Sequence, residues 1–197
     1  TLGVARFGVN GGVDPIFGLG YTATTDKPAV NVNQGSLSFS DSAVALPPEL
    51  LNSRTDVTFE TWFRRTGTNE MRLLTSENST NTLDPLNIIL NQNGSVSSIT
   101  VEQSDTSGAG TASFVRVFTP ATTFTDGAWH HLAVTLSRSA QTMELYLDGE
   151  IAALTGIAGT IQTSAMSVGS VVLGQDLGQR HLGNYFGPGR FIGELDE

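Results

Sequence analysis

The sequence predicts an all-β protein, a two-sheet antiparallel β-sandwich, on three observations. DGAWHHLAVTLS at 126–137 alternates: His130, Leu132, Val134 and Leu136 fall on one side of an extended chain, and Trp129, His131, Ala133 and Thr135 on the other. MELYLDGE at 143–150 follows with the same period, setting Met143, Leu145 and Leu147 against Glu144, Tyr146 and Asp148, and stops at the turn pair Asp148-Gly149. Short segments of this kind, each bounded by turn residues, then recur along the rest of the chain. A period of two with one apolar face is what an antiparallel sheet packed on a core requires.

The elements follow in order. Residues 1–34 are Gly- and Pro-containing and polar, and read as an extended lead-in with a short strand near Ala5–Val9. The sandwich domain is expected over 35–197. Its strands are predicted at 35–40, 57–65, 71–76, 86–91, 97–103, 113–119, the two segments above, 150–154, 170–175 and 191–196. Asn91-Gln92-Asn93-Gly94 suits a hairpin turn, and Pro47 to Leu51 allows one helical turn at most. No internal repeat or heptad pattern is present.

Composition narrows the functional classes. The 197 residues include 22 glycines, only 15% are charged, and Lys27 is the sole lysine. The net charge of −9 argues against nucleic acid and anionic membranes as partners, because both need a basic surface. It suits a secreted protein, or one that gathers divalent cations. With no cysteine, disulfides, thiolate metal sites and cysteine nucleophiles are excluded. No segment has the roughly 18 apolar residues that a membrane span needs. The start at Thr1 has no signal-peptide pattern, which suits a mature fragment or an excised domain.

SLSFS…AVALP (36–47), DVTFETWFRR (56–65), GAWHHLAVTLS with MELYLDGE, and VVLGQD (171–176) with FIGELDE (191–197) form four ordered blocks. Together they resemble the laminin G-like and pentraxin jelly rolls of the concanavalin A-like superfamily. The resemblance implies a jelly-roll fold and an extracellular or cell-surface recognition module without catalytic activity, binding a glycan or an extracellular protein through its rim loops. TNEMRLLTS (68–76) and LGQD (173–176) are similar to the pentraxin segments that supply calcium ligands. Carried over by position, Asn69, Gln175 and Asp176 become candidate ligands of a single calcium ion, with Glu70 nearby. Amide and carboxylate oxygens are the right donors for that ion. The pattern is incomplete, since Thr68 stands where the family has Asp and Gly189 where a further ligand is expected.

The loop at 174–190 is long enough to be functional. Its Arg180, His181, Asn184, Tyr185 and Arg190 are candidate ligand-binding residues, because aromatic faces with Asn and Arg can read sugars or a protein surface. His130 and His131 are adjacent on a strand and point to opposite faces, so they cannot chelate one ion together. His130 is expected to be a hydrogen-bonded core histidine and His131 to pack on the sheet.

Two alternatives stand beside recognition. One is a structural subunit of a surface fibre, adhesin stalk or coat, self-associating through a sheet edge left open where the closing strand stops. The other is a family-16-like glycosidase using Glu194, Asp196 and Glu197, whose alternation fails because Glu197 points away from the other two. Two glycosylation sequons, at Asn78 and Asn93, fall in predicted turns.

Overall fold

A computed structural model describes residues 36–40, 43–67, 69–78, 84–90, 98–104, 112–175 and 189–196. The lead-in, the Asn91–Gly94 turn, and Asp176, Arg180, His181, Asn184 and Tyr185 lie outside the described residues. Thirteen strands are described: β1 (Leu37–Phe39), β2 (Val44–Leu46), β3 (Asp56–Arg65), β4 (Met71–Glu77), β5 (Asp84–Leu90), β6 (Ile99–Ser104), β7 (Ala112–Thr119), β8 (His130–Ser137), β9 (Thr142–Leu147), β10 (Glu150–Ile151), β11 (Ala153–Gly159), β12 (Ser170–Leu173) and β13 (Gly193–Asp196). A single 3₁₀ turn, Pro48–Leu50, follows β2.

They form two antiparallel sheets. One has six strands in the order β1-β13-β3-β8-β9-β10; the other has seven, in the order β11-β7-β6-β5-β4-β12-β2. The core between them is apolar and aromatic, with Phe63, Phe114, Phe118, Phe124 and Phe191 all but inaccessible. Phe63 meets Phe124 edge-on at 6.0 Å, and Phe39 meets Phe191 at 5.7 Å.

The segment 126–150 folds as its alternation requires. Burial along β8 switches at every residue, with His130, Leu132, Val134 and Leu136 inside. Asp148 and Gly149 both have positive φ, 54° and 82°, which is the backbone of a type I′ hairpin turn joining β9 to β10. Gly174 also turns at positive φ, and a Cβ there would run into the Phe39 ring, so only glycine lets the chain leave β12 this closely over β1.

Three expectations are corrected. The segment read as one strand at 150–154 is two, because the chain crosses at buried Ala152 from the six-stranded sheet to the seven-stranded one. The closing strand is not an open edge, since β13 lies between β1 and β3. Asn78 of the first sequon is buried, which withholds it from glycosylation in the folded chain.

Candidate ligand-binding surface

Of the residues singled out for calcium, Asn69 and Gln175 lie at one end of the sandwich. β12 runs antiparallel to β4 with Leu173 opposite Leu74, so the start of β4 and the end of β12 meet there. The Gly174 amide donates to Leu73 O at 3.1 Å, Phe191 N to Gly174 O at 2.8 Å, and Arg72 N to Gly189 O at 2.6 Å. Asn69 and Arg190 are exposed, and Gln175 is buried.

Two arginines dominate the electrostatics of this end. Arg65, only 1% exposed, gives one N–H to the Asn69 carbonyl at 2.5 Å and lies over the Phe124 ring. Burial pushes its guanidinium down to about 10. Arg72 lies 3.7 Å from both Glu70 and Glu102. Among the described residues no three His, Asp or Glu side chains converge as a metal site. The two described candidates, Asn69 and Gln175, are therefore neutral amides beside cationic groups, and the described carboxylate nearest them in sequence, Glu70, lies 3.7 Å from Arg72.

His130 occupies a different niche. Its ring is buried against Phe63, and its two nitrogens meet Asp148 Oδ2 at 2.8 Å and Asp126 Oδ1 at 3.0 Å. A ring bonded to a carboxylate on each side donates from both nitrogens only as imidazolium. Burial alone disfavours that charge, but the bonds to Asp126 and Asp148 outweigh it and raise the His130 pKa above its ordinary value. The bond to His130 is also the largest influence lowering the Asp126 pKa. Asp148 accepts the His131 amide with its other oxygen at 2.9 Å. The cluster thus ties the β9–β10 turn to the loop before β8, and its bonds are those of a structural tie rather than a reactive group.

Outward from the same strands lies a surface that sequence reasoning did not single out. Trp62 on β3 sits opposite His131 on β8, with ring centroids 5.1 Å apart, and remains 45% exposed. One position along, Arg64 lies 5.3 Å over the Trp129 ring and binds Glu194 of β13 at 2.7 Å, where Ser36 also donates at 3.2 Å. Asp196 stands opposite Trp62 on the other side. Tyr146 continues the face on β9, its hydroxyl donating to Glu144 at 2.8 Å. The outcome is a shallow strip of indole, imidazole and phenol rings bordered by fixed carboxylates and a guanidinium. Its signal was present in the sequence: Trp62 alternates with buried Phe63, and Trp129 with buried His130.

Comparison with known proteins gives the fold a lineage. No curated protein matches the sequence. Among solved structures, mouse laminin α1 domains LG4-5 superpose with a TM-score of 0.56 at 18% identity, over 82% of this chain and 39% of that one. A pentraxin from Limulus polyphemus gives 0.52 at 14%, over 74% and 63%. A putative carbohydrate-binding protein from Bacteroides ovatus gives 0.50 at 12%, over 82% and 41%. The chain thus spans about two-fifths of the laminin chain it matches. At these identities the likeness is one of fold. The model of one family matches residues 38–197, nearly the whole described sandwich, and the chain belongs to that family: the concanavalin A-like lectin/glucanases superfamily, in its laminin G-like form.

Proposed function

We propose that this domain is a non-catalytic recognition module that binds a neutral glycan, working outside the cell or at its surface. The observation that supports this reading is the outer face of the six-stranded sheet, where exposed Trp62 stacks with His131 and Trp129 lies under Arg64. Indole faces pack against the C–H faces of a sugar ring, while carboxylates and a guanidinium at the border bond its hydroxyls. Backbone pairing holds Trp62 in place, so little ordering is needed on binding.

The Glu194 carboxylate is engaged by Arg64 and Ser36 on that outer face, which supports a positioning role for it over that of a nucleophile or acid. No helix of the described residues is long and apolar enough to cross a bilayer.

The test is titration of the protein with a panel of neutral oligosaccharides by calorimetry, repeated with Trp62→Ala and Trp129→Ala. Loss of a stacking tryptophan is expected to weaken binding by about tenfold or more while the unfolding transition stays cooperative. If no oligosaccharide binds, or if Trp62→Ala binds as well as the parent, the reading fails. Binding to an extracellular protein through the same face would move the ligand class to protein.

Calcium is a separate part of the proposal, drawing on Asn69 and Gln175 at the sandwich end together with Asp176, whose oxygens are the donor types the ion takes. Thermal unfolding in calcium against chelator is expected to show an upward shift that Asp176→Ala removes; at a hundredfold excess over Kd the gain is about 2.7 kcal/mol. An unchanged transition removes the ion from the account.

A further inference from the structure

Among the described residues β11 is the outermost strand of the seven-stranded sheet, paired with β7 on one side only. Every residue of Ala153–Gly159 is exposed or half-exposed. A bulge between Leu154 and Gly156 breaks the alternation. Leu154 therefore stands opposite Phe118 and Ile157 opposite Arg116, two residues apart on β7, and both apolar side chains project from the same face. Leu154 is 43% exposed and Ile157 68%, with Ile151 of adjoining β10 at 62%. Those three account for most of the large hydrophobic surface that the described residues leave to solvent.

Natural edge strands are blunted with charged side chains, proline, very short length or a bulge. Of these devices β11 has only the bulge: its 7 residues, ALTGIAG, hold no charge and no proline, and no charge occurs from Ile151 to Thr160. Arg116 reinforces the strand from behind, its guanidinium bonding Ala158 O at 3.0 Å and Gly159 O at 3.3 Å.

We propose that β11 pairs antiparallel with β11 of a second copy of this chain about a two-fold axis, making one sheet continuous across a homodimer. The strand supplies its own complement. An axis between Thr155 and Gly156 sets Leu154 of each copy opposite Ile157 of the other, twice, on the face where both are exposed. Such a cross-strand apolar pair requires the two residues to share a face, and the bulge is what makes them do so. Two chains of net charge −9 repel over most of their surface, and this uncharged strand lets their backbones approach without like charges meeting.

Sedimentation equilibrium of the intact chain over a wide concentration range tests the proposal. A reversible dimer is expected, with its Kd raised about tenfold or more by Ile157→Lys, which replaces an apolar contact by a charge at both ends of the pair. Because the chain has no cysteine, register is read independently by cross-linking. The double variant Leu154→Cys, Ile157→Cys is expected to yield a disulfide-linked dimer on oxidation, and either single variant much less, since only the opposed pair meets disulfide geometry. A chain that stays monomeric at every concentration overturns the proposal. So does a dimer that is indifferent to Ile157→Lys and fails to cross-link.

Discussion

Along β8 burial alternates without a break, so half of its side chains face water, whereas β4 and β5 of the opposite sheet leave almost nothing exposed. On β5, Asn87 and Ile89 are as fully withdrawn as Leu86, Ile88 and Leu90. A strand buried on both faces has all its side chains committed to packing. A strand buried on one face keeps the other for recognition. The six-stranded sheet is of the second kind, and on β3 and β8 the two uses are separated by a single residue step: Phe63 and His130 face in, Trp62 and His131 face out.

Substitutions that change one parity and spare the other should break this comparison most sharply. Phe63→Ala removes a ring packed on Phe124 and His130 and is expected to cost about 3–5 kcal/mol in denaturant unfolding. A loss below about 1 kcal/mol would mean that the inner row of β3 is not the core it appears to be. The next largest effect belongs to His130→Gln, about 2 kcal/mol, because it removes hydrogen bonds to two carboxylates.

That second cost should depend on pH. A His130 pKa raised in the folded state gives stability that is fully present below about pH 6.5 and is lost as pH rises through the elevated value. The lowered Asp126 pKa acts in the opposite sense, its contribution being present above about pH 3.8 and lost as pH falls through the depressed value. The gap in melting temperature between parent and His130→Gln should therefore narrow as pH rises above about 6.5 and through the elevated value. A gap that stays constant would show that the ring is neutral in the fold. The smallest stability effect is expected from Trp62→Ala, below about 1 kcal/mol, since nearly half of the indole already faces water. The same variant should weaken the proposed glycan binding by about tenfold or more, so stability and binding would part at adjacent positions of one strand.

The parts of this molecule that were legible in the sequence are those set by local alternation and turn chemistry. β8, β9 and the Asp148-Gly149 turn could be read because period two and positive φ leave direct traces in residue type. His130 could be placed inside by the same parity. The split of 150–154 at Ala152 could not, because a small apolar residue marks a crossover no more clearly than a strand interior. Nor could the bulges at Arg72–Leu74 and Leu154–Gly156, which exist only relative to a partner strand. The binding strip was half-visible. Its aromatic residues alternate out of the core in plain sequence, but Arg64 finds Glu194 across 130 residues, and nothing local announces that meeting. Of the candidates named from resemblance, Asn69 and Gln175 do come to the same end of the sandwich, as register requires of β4 and β12, and Arg190 joins them there.

The pairing of Arg64 with both Glu194 and the Trp129 ring has a kinetic consequence. A guanidinium bonded to a carboxylate on one strand and lying over an indole beside another has fewer rotamers to give up when a ligand arrives. Under the proposed function the face then meets its ligand largely pre-formed. Among related ligands, association rates should lie close together, and differences in affinity should appear as residence times. A recognition surface on strands in this way discriminates by how long it holds a ligand rather than by how quickly it finds one.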